Sequence, residues 1–147
     1  MSLNKNYLDV PGTTIFDADQ SRMGYHLNQF CMSLIKHENR ERFKTNQRAY
    51  VDEWPMTEDQ KQAVLNVDLN LAISLGGNIY FLAKLGATHG MSFQQMAGSM
   101  TGMTETEYRG MMIGGGRSIQ GNRLVGEDGS AQEHRQPQGG APKKVAA

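Results

Sequence analysis

Four histidines are the residues of this chain best suited to metal or proton chemistry: His26, His37, His89 and His134. A metal site on helices uses ligands that share one face, such as histidines four positions apart or a Glu-x-x-His pair. No two of the four have that spacing, and Glu38 follows His37 directly, so the two point apart on a helix. The spacing therefore predicts no metal ligand and no catalytic residue on this chain.

Two other patterns resemble reactive sites, but their surroundings favour structural roles. Cys31, the only cysteine, lies beside the apolar face of the first predicted helix and has no histidine three or four positions later. A cysteine in that setting typically acts as a small buried hydrophobe. The glycines of residues 114–118 resemble a phosphate-binding loop, but they follow a predicted helix and lack the lysine of such loops. We interpret them as a helix end.

The charge balance and composition exclude several classes of partner. The 147 residues include 15 Lys and Arg and 15 Asp and Glu, so the formal net charge is zero, and we expect no nucleic-acid or membrane partner. No apolar run reaches the length of a membrane span, and the first residues lack the apolar segment of a secretory signal. A single cysteine cannot form an internal disulfide. We expect a cytoplasmic protein.

Apolar residues recur at the helical period along most of the chain, and no strand-like alternation of useful length is present. We predict helices that begin after Asp17, Thr57, Ser92 and Thr104, each followed three positions later by Gln or Glu, the pattern of a capping box. The charged segment from His37 to Tyr50 is a further predicted helix. The sequence therefore predicts an all-α fold, a compact bundle of several short helices.

The predicted helices differ in how deeply they should be buried. The helix after Asp17 carries one apolar stripe, formed by Met23, Leu27, Phe30 and Leu34. The helix after Thr57 continues to Leu75 and ends at Gly76 and Gly77. A short helix over residues 79–85 is apolar nearly all round, and we expect it to be the most buried.

The segment from Gly76 to Ser118 is rich in glycine and methionine and poor in reactive residues. Methionine side chains are adaptable and serve either to fill gaps in a core or to line a contact surface, and the sequence leaves both roles open. The glycines stand at the predicted ends of short helices, where unusual backbone conformations are needed. We predict a helical surface that fits a partner, with any chemistry shared between the two.

The two ends of the chain differ in composition from its helical part. Asn4 to Ile15 contains a Pro-Gly pair and predicts an extended N-terminal arm with a turn. After Ser118, Gly, Gln, Pro, Asp and Lys dominate, which predicts an irregular C-terminal tail that cannot bury enough apolar surface to form a core. We expect one helical domain with its arm over residues 1–118 and a polar tail over residues 119–147.

Six segments in a fixed order resemble the small (α) subunit of protocatechuate 4,5-dioxygenase, a two-subunit extradiol ring-cleavage enzyme. The resemblance extends from about Val10 to Ser118, and the combination of segments makes it specific. The segments are Val10–Thr13 (VPGT), Gly24–Phe30 (GYHLNQF), Glu38–Phe43 (ENRERF), Tyr50–Trp54 (YVDEW), Gly76–Leu82 (GGNIYFL) and Gly98–Met103 (GSMTGM).

The resemblance implies an oxidoreductase that inserts oxygen between C4 and C5 of protocatechuate and forms 4-carboxy-2-hydroxymuconate semialdehyde. In this family the large (β) subunit binds Fe(II) through two histidines and a glutamate and carries the acid–base histidine. The small subunit covers the iron pocket as a lid, in an α2β2 assembly. This implication agrees with the lack of a ligand set on the present chain.

The resemblance also implies which residues of this chain face the shared pocket. Phe93, in the segment Ser-Phe-Gln, is the first candidate to line the substrate pocket from the lid side, where an aromatic ring excludes water and packs on a catechol. Leu8 and Val10 in the arm are the second candidates. Three polar residues also match the family pattern: Asn28, Arg40 and Asn78. The sequence leaves open whether they are functional or structural.

Two alternatives to a protocatechuate 4,5-dioxygenase subunit remain at the level of sequence. The same lid role could serve a gallate or aminophenol extradiol dioxygenase, since His26 and the stretch from His89 to Met91 vary in residue type and could tune which catechol fits. A non-catalytic homologue that binds another protein is the other alternative.

Overall fold

The structure is a computed structural model, and it describes Lys5, Leu8, residues 13–118, residues 123–125 and residues 131–133. Its described part contains nine α-helices, and the all-α prediction is confirmed. The helices are α1 (Ala18–Met23), α2 (Tyr25–Ser33), α3 (His37–Thr45), α4 (Gln47–Asp52), α5 (Glu58–Leu65), α6 (Leu69–Ser74), α7 (Ile79–Thr88), α8 (Phe93–Thr101) and α9 (Glu105–Ile113).

The C-terminal tail contains one short pair of strands that the sequence analysis did not predict. Strands β1 (Arg123–Val125) and β2 (Ala131–Glu133) pair antiparallel, with Leu124 opposite Gln132. Each strand has three residues, so the fold class is unchanged. Among the described residues, no helix is long and apolar enough to cross a membrane.

The four predicted helix starts are confirmed by the side chains that cap them. The side chain of Asp17 accepts a hydrogen bond from the Gln20 N–H. At Thr57, Ser92 and Thr104 the capping box is complete, because the glutamine or glutamate three residues later bonds back to the N–H of the capping residue. Each cap satisfies N–H groups that have no partner within the helix.

Three helices that the sequence predicts as continuous are interrupted in the structure. Gly24 separates α1 from α2, and Asn46 ends α3 while its side chain caps α4. The helix predicted from Thr57 to Leu75 is divided into α5 and α6, because Val67 adopts a positive φ of 50° and Asp68 caps α6. Helical periodicity continues through such breaks, so the apolar pattern alone does not reveal them.

The break at Gly24 lets two segments of backbone touch. A Cβ atom added to Gly24 would lie 1.8 Å from the carbonyl oxygen of Gly76, and one added to Gly76 would lie 2.4 Å from the Gly24 nitrogen. Gly76 also has a φ of 94°, which L-residues with side chains rarely adopt. The Gly76–Gly77 end predicted from the sequence is therefore confirmed, and it also forms a close backbone contact.

The core is built around α2 and a cluster of aromatic rings. Phe30 packs at 5.5–6.1 Å between ring centroids against Phe43, Tyr50 and Trp54. Cys31 beside them is fully buried, and loss of hydration raises the pKa of its thiol to about 12. The interpretation of Cys31 as a buried hydrophobe is confirmed, since a thiol of this kind forms almost no thiolate near neutral pH.

The prediction that α7 is the most buried helix is wrong. Leu82 and Leu85 are fully buried, but Ile79 is 39% exposed and Tyr80 is 79% exposed. Tertiary contacts cover one side of the helix only, and its first turn presents apolar side chains to solvent. The stripe predicted for the first helix is likewise incomplete, because Met23 precedes the break at Gly24 and is exposed.

Candidate functional site at the α7–α8 surface

An apolar groove lies where α7, α8 and α9 meet. Its volume is about 210 Å³. Nearly all of its walls are apolar side chains, and the residues that line it are Ile79, Ala83, Phe93, Met96, Ala97, Met100, Thr101 and Tyr108. A groove of this composition can bind an aromatic ring or an aliphatic side chain, and it offers little to hold a charge.

Helix α8 is fixed against its neighbours by contacts at both of its ends. The Ser92 hydroxyl bonds to the Glu105 carboxylate at 2.9 Å, and the Asn70 side chain donates to the Met100 carbonyl at 3.0 Å. In between, Gly86 on α7 leaves room for Met96, whose sulfur would lie 2.0 Å from a Cβ at that position. These contacts hold the walls of the groove in place, and the mouth of the groove faces solvent.

Phe93 stands at the mouth of the groove as the first residue of α8. Phe93 is 65% exposed, although phenylalanine is among the residue types that are most often buried. The Ser92 cap holds the helix start and therefore the base of the Phe93 side chain. The structure thus places Phe93 on a groove wall; that it contacts a substrate stays a prediction.

Of the two candidates in the arm, Leu8 and Val10, only Leu8 lies within the described residues. Leu8 is 64% exposed and, within the described part of the chain, it lines neither this groove nor the larger cavity beside it. Val10 lies outside the described residues. The pocket roles of both residues stay predictions.

A second, larger cavity of about 790 Å³ adjoins the groove and has a more polar lining. The arm supplies Thr13 and Thr14, and Phe16 follows it, while α6, the turn after α6, α7 and α8 supply the opposite wall. That wall consists of Asn70, Ile73, Gly77, Asn78, Ile79, Tyr80 and Met100. Because Ile79 and Met100 line both cavities, the two form one continuous surface.

We call Phe16, Ile79, Tyr80, Phe93 and Met100 the α7–α8 surface. All except Met100 are large hydrophobic residues with at least 39% of their surface exposed. Clustered exposed aromatic and methionine side chains are typical of protein interaction sites. Nothing in the sequence marks Phe16 or Tyr80 as exposed, because apolar residues beside the arm and in an all-round apolar helix give no signal of exposure.

The histidines do not converge on a site in the described structure. The described residues include no group of three or more His, Cys, Asp and Glu residues that could hold a metal ion. His26 and His37 are exposed. His89 packs edge-on against Phe43 at 5.8 Å, and this partial loss of hydration lowers the pKa of its imidazole. His134 lies outside the described residues, and the expected lack of metal ligands stays a prediction.

The glycines after α9 end the helix, as predicted. Helix α9 stops at Ile113, and Gly115 and Gly116 have positive φ angles of 104° and 85°. The N–H of Gly116 bonds to the carbonyl of Met111. This backbone arrangement closes a helix C-terminus and is not that of a phosphate loop, which precedes a helix.

Comparison with known protein families shows which family this chain belongs to. The family described as "Aromatic-ring-opening dioxygenase LigAB, LigA subunit" matches residues 27–113, more than half of the chain. The chain belongs to this LigA family. The part of the resemblance found in the sequence that concerns this family is therefore confirmed.

A curated relative extends the comparison beyond the LigA family model. Gallate dioxygenase of Pseudomonas putida is 28% identical over 99 residues, which are 67% of this chain. The match covers 29% of the length of that protein, so a LigA-like segment occurs there as part of a longer chain. In the present chain every residue that lines the apolar groove lies inside the LigA match, whereas the arm residues of the larger cavity lie outside it.

Proposed function

We propose that this LigA-family chain is the small subunit of a protocatechuate 4,5-dioxygenase. In the proposed reaction the ring bond between C4 and C5 breaks, both atoms of O2 are incorporated, and 4-carboxy-2-hydroxymuconate semialdehyde forms. The resemblance to the small subunit of that enzyme from about Val10 to Ser118 supports the choice of substrate. The LigA match over residues 27–113 supports the class of reaction.

The partner in this proposal is a large (β) subunit in an α2β2 assembly, and it binds the Fe(II) that activates O2. The observation that carries the proposal is the α7–α8 surface, where Ile79, Tyr80 and Phe93 are exposed at the starts of two packed helices. A monomer gains no stability from such side chains in water, while a complex buries them. The gallate dioxygenase of Pseudomonas putida supports the pairing, because there a LigA-like segment belongs to a longer polypeptide.

This chain's own contribution is to close the pocket on the large subunit. Phe93 would pack on the catechol ring and exclude water, which strengthens the electrostatic interactions at the reacting atoms. Leu8 and Val10 of the arm would close a second side. None of these side chains can transfer a proton, so in this proposal the acid–base chemistry belongs to the partner.

A second candidate substrate is gallate, which the relationship to a gallate dioxygenase favours. An aminophenol would require the same lid. These candidates differ from protocatechuate only in the ring substituents that the closed pocket must accept, and the assay below distinguishes them. A non-catalytic homologue would give no turnover with any of the three.

Replacing Phe93 with alanine tests the lid role. We expect the variant to fold normally, because a residue that is 65% exposed adds little to stability, and to assemble at a saturating concentration of the chain. In complex with the large subunit, kcat/KM for protocatechuate should fall by roughly tenfold to 100-fold, corresponding to the loss of about 1–3 kcal/mol of aromatic contact. Ring opening of protocatechuate, gallate and an aminophenol would be followed separately with the wild-type and variant complexes.

Tyr25→Ala is a matched control, since Tyr25 is also an exposed aromatic residue (57%) but lines neither cavity. It should leave kcat/KM unchanged. Loss of folding by Phe93→Ala, with normal kinetics in the protein that survives, would show that Phe93 belongs to the core and that the pocket is lined elsewhere. A higher kcat/KM for gallate than for protocatechuate would replace the proposed substrate and keep the proposed subunit role.

A further inference from the structure

Asn28 is a buried polar residue whose side chain makes two hydrogen bonds to a distant turn. It lies on α2, and only 5% of its surface is exposed. Its Nδ2 donates to the Gly76 carbonyl at 3.0 Å, and its Oδ1 accepts from the Asn78 N–H at 2.9 Å. A buried amide is costly unless it is paired, so the orientation of this side chain and the position of the turn determine each other.

Two neighbouring contacts hold the same turn. The Gln60 side chain, 3% exposed, donates to the Leu75 carbonyl and to the Met23 carbonyl, each at 3.0 Å. The backbone of Gly24 touches that of Gly76 directly. The connection from α6 to α7 is therefore fixed by directional bonds to its backbone, which tolerate smaller displacements than apolar packing does.

The start of α7 depends on this turn. Asn78 caps α7, since its Oδ1 accepts from the Tyr80 N–H at 2.9 Å. Ile79 comes next and lines both cavities, and Tyr80 lines the larger one. A shift of the turn would thus displace the first turn of α7, and with it two of the five residues of the α7–α8 surface.

We propose that Asn28 is a positioning residue, which places the first turn of α7 so that the α7–α8 surface fits the large subunit. Asn28 is itself buried on α2 and lines neither cavity, so it acts through Asn78, Ile79 and Tyr80. This inference rests on the proposed function, because it assumes that the α7–α8 surface binds the large subunit.

The experiment compares Asn28→Ala with a core variant that should also lose stability, Val51→Ala. Val51 is fully buried on α4, a helix that packs mainly against α3 and α5. Each chain would be titrated against the large subunit to obtain the dissociation constant, and the saturated complexes would be assayed for KM and kcat. Both measurements would be made at a temperature where thermal unfolding shows each variant to be folded.

We expect Asn28→Ala to raise the dissociation constant about tenfold or more, a change of about 1.4 kcal/mol. Val51→Ala should change it less than about twofold at equal loss of melting temperature. In the saturated Asn28→Ala complex, KM should rise more than kcat falls. Asn28→Asp keeps the acceptor for the Asn78 N–H, but it loses the donor to Gly76 and sets a buried carboxylate against that carbonyl, so it should raise the dissociation constant at least as much as Asn28→Ala.

Equal weakening by Asn28→Ala and Val51→Ala, or no weakening by Asn28→Ala, would overturn the positioning role. If neither Asn28 variant folds, Asn28 is needed for folding itself, and the inference is overturned as well. If the wild-type chain does not bind the large subunit, the proposed function itself is contradicted. The wild-type titration alone reveals this outcome, so it is distinguishable from a failure of the positioning role.

Discussion

Replacing Gly24 with alanine is expected to lower the free energy of unfolding by about 3 kcal/mol, because the new methyl group overpacks a backbone contact. Its Cβ would lie 1.8 Å from the Gly76 carbonyl oxygen and 2.3 Å from the carbonyl carbon. Backbone atoms cannot rotate away as a flexible side chain can, so α1, α2 and the turn before α7 would have to separate. The melting temperature should fall by roughly 10 °C.

Gly110→Ala is the control for Gly24→Ala. Gly110 lies within α9, and a Cβ added there meets no atom within 4 Å. Alanine is the better helix former, so this variant should be as stable as the wild type or up to about 1 kcal/mol more stable. Thermal and urea unfolding followed by circular dichroism would measure both. A Gly24→Ala variant as stable as Gly110→Ala would contradict the close contact.

The second large effect is expected for Tyr80→Asp, which should weaken binding to the large subunit by about 100-fold or more. Tyr80 is the most exposed residue of the α7–α8 surface, at 79%. An aspartate there removes an aromatic contact and adds a charge that the complex would have to desolvate. The isolated chain should remain folded, because an acidic residue in the first turn of a helix interacts favourably with the helix dipole.

Tyr25→Asp is matched to Tyr80→Asp, because Tyr25 is also an exposed tyrosine in the first turn of a helix. It should leave the dissociation constant within about twofold of the wild type. Calorimetric or optical titration of the large subunit with each chain would measure the difference. Equal affinities for the two variants would exclude the first turn of α7 from the interface.

The sequence predicts the helix starts well because the relevant interactions are local. The pairs at Thr57, Ser92 and Thr104 need only the residue three positions later to complete a capping box, and all three are complete in the structure. The helix end before Gly114 is local in the same way. These features depend on a few neighbouring residues, so they can be predicted from the sequence without any knowledge of the fold.

The features that could not be predicted from the sequence depend on interactions between segments far apart in the chain. Nothing near Gly24 indicates that it touches Gly76, and nothing near Asn28 indicates that it bonds across to Asn78. The exposure of Tyr80 depends on which side of α7 the rest of the protein covers. Apolar composition marks residues that need to be buried, and it does not tell burial in the core from burial in an interface.

Only part of the candidate site could be predicted from the sequence, because apolar composition does not tell an interface from a core. The family resemblance points to Phe93, and the structure places this residue on the wall of an apolar groove. The remaining walls come from α7, α8 and α9, whose arrangement is set by contacts such as those of Gly86 with Met96 and of Asn70 with Met100. Spacing along the chain carries no information about such contacts.

The most direct test of this account is a titration of the chain into a fixed amount of the iron-loaded large subunit, with ring opening of protocatechuate as the readout. The chain alone, which we expect to carry no stoichiometric iron by metal analysis, should form no product. The rate should rise as the chain is added and saturate at one chain per large subunit. Ring opening by the chain alone, about one tightly held iron on it, or a large subunit whose rate is unaffected by the chain would contradict the account.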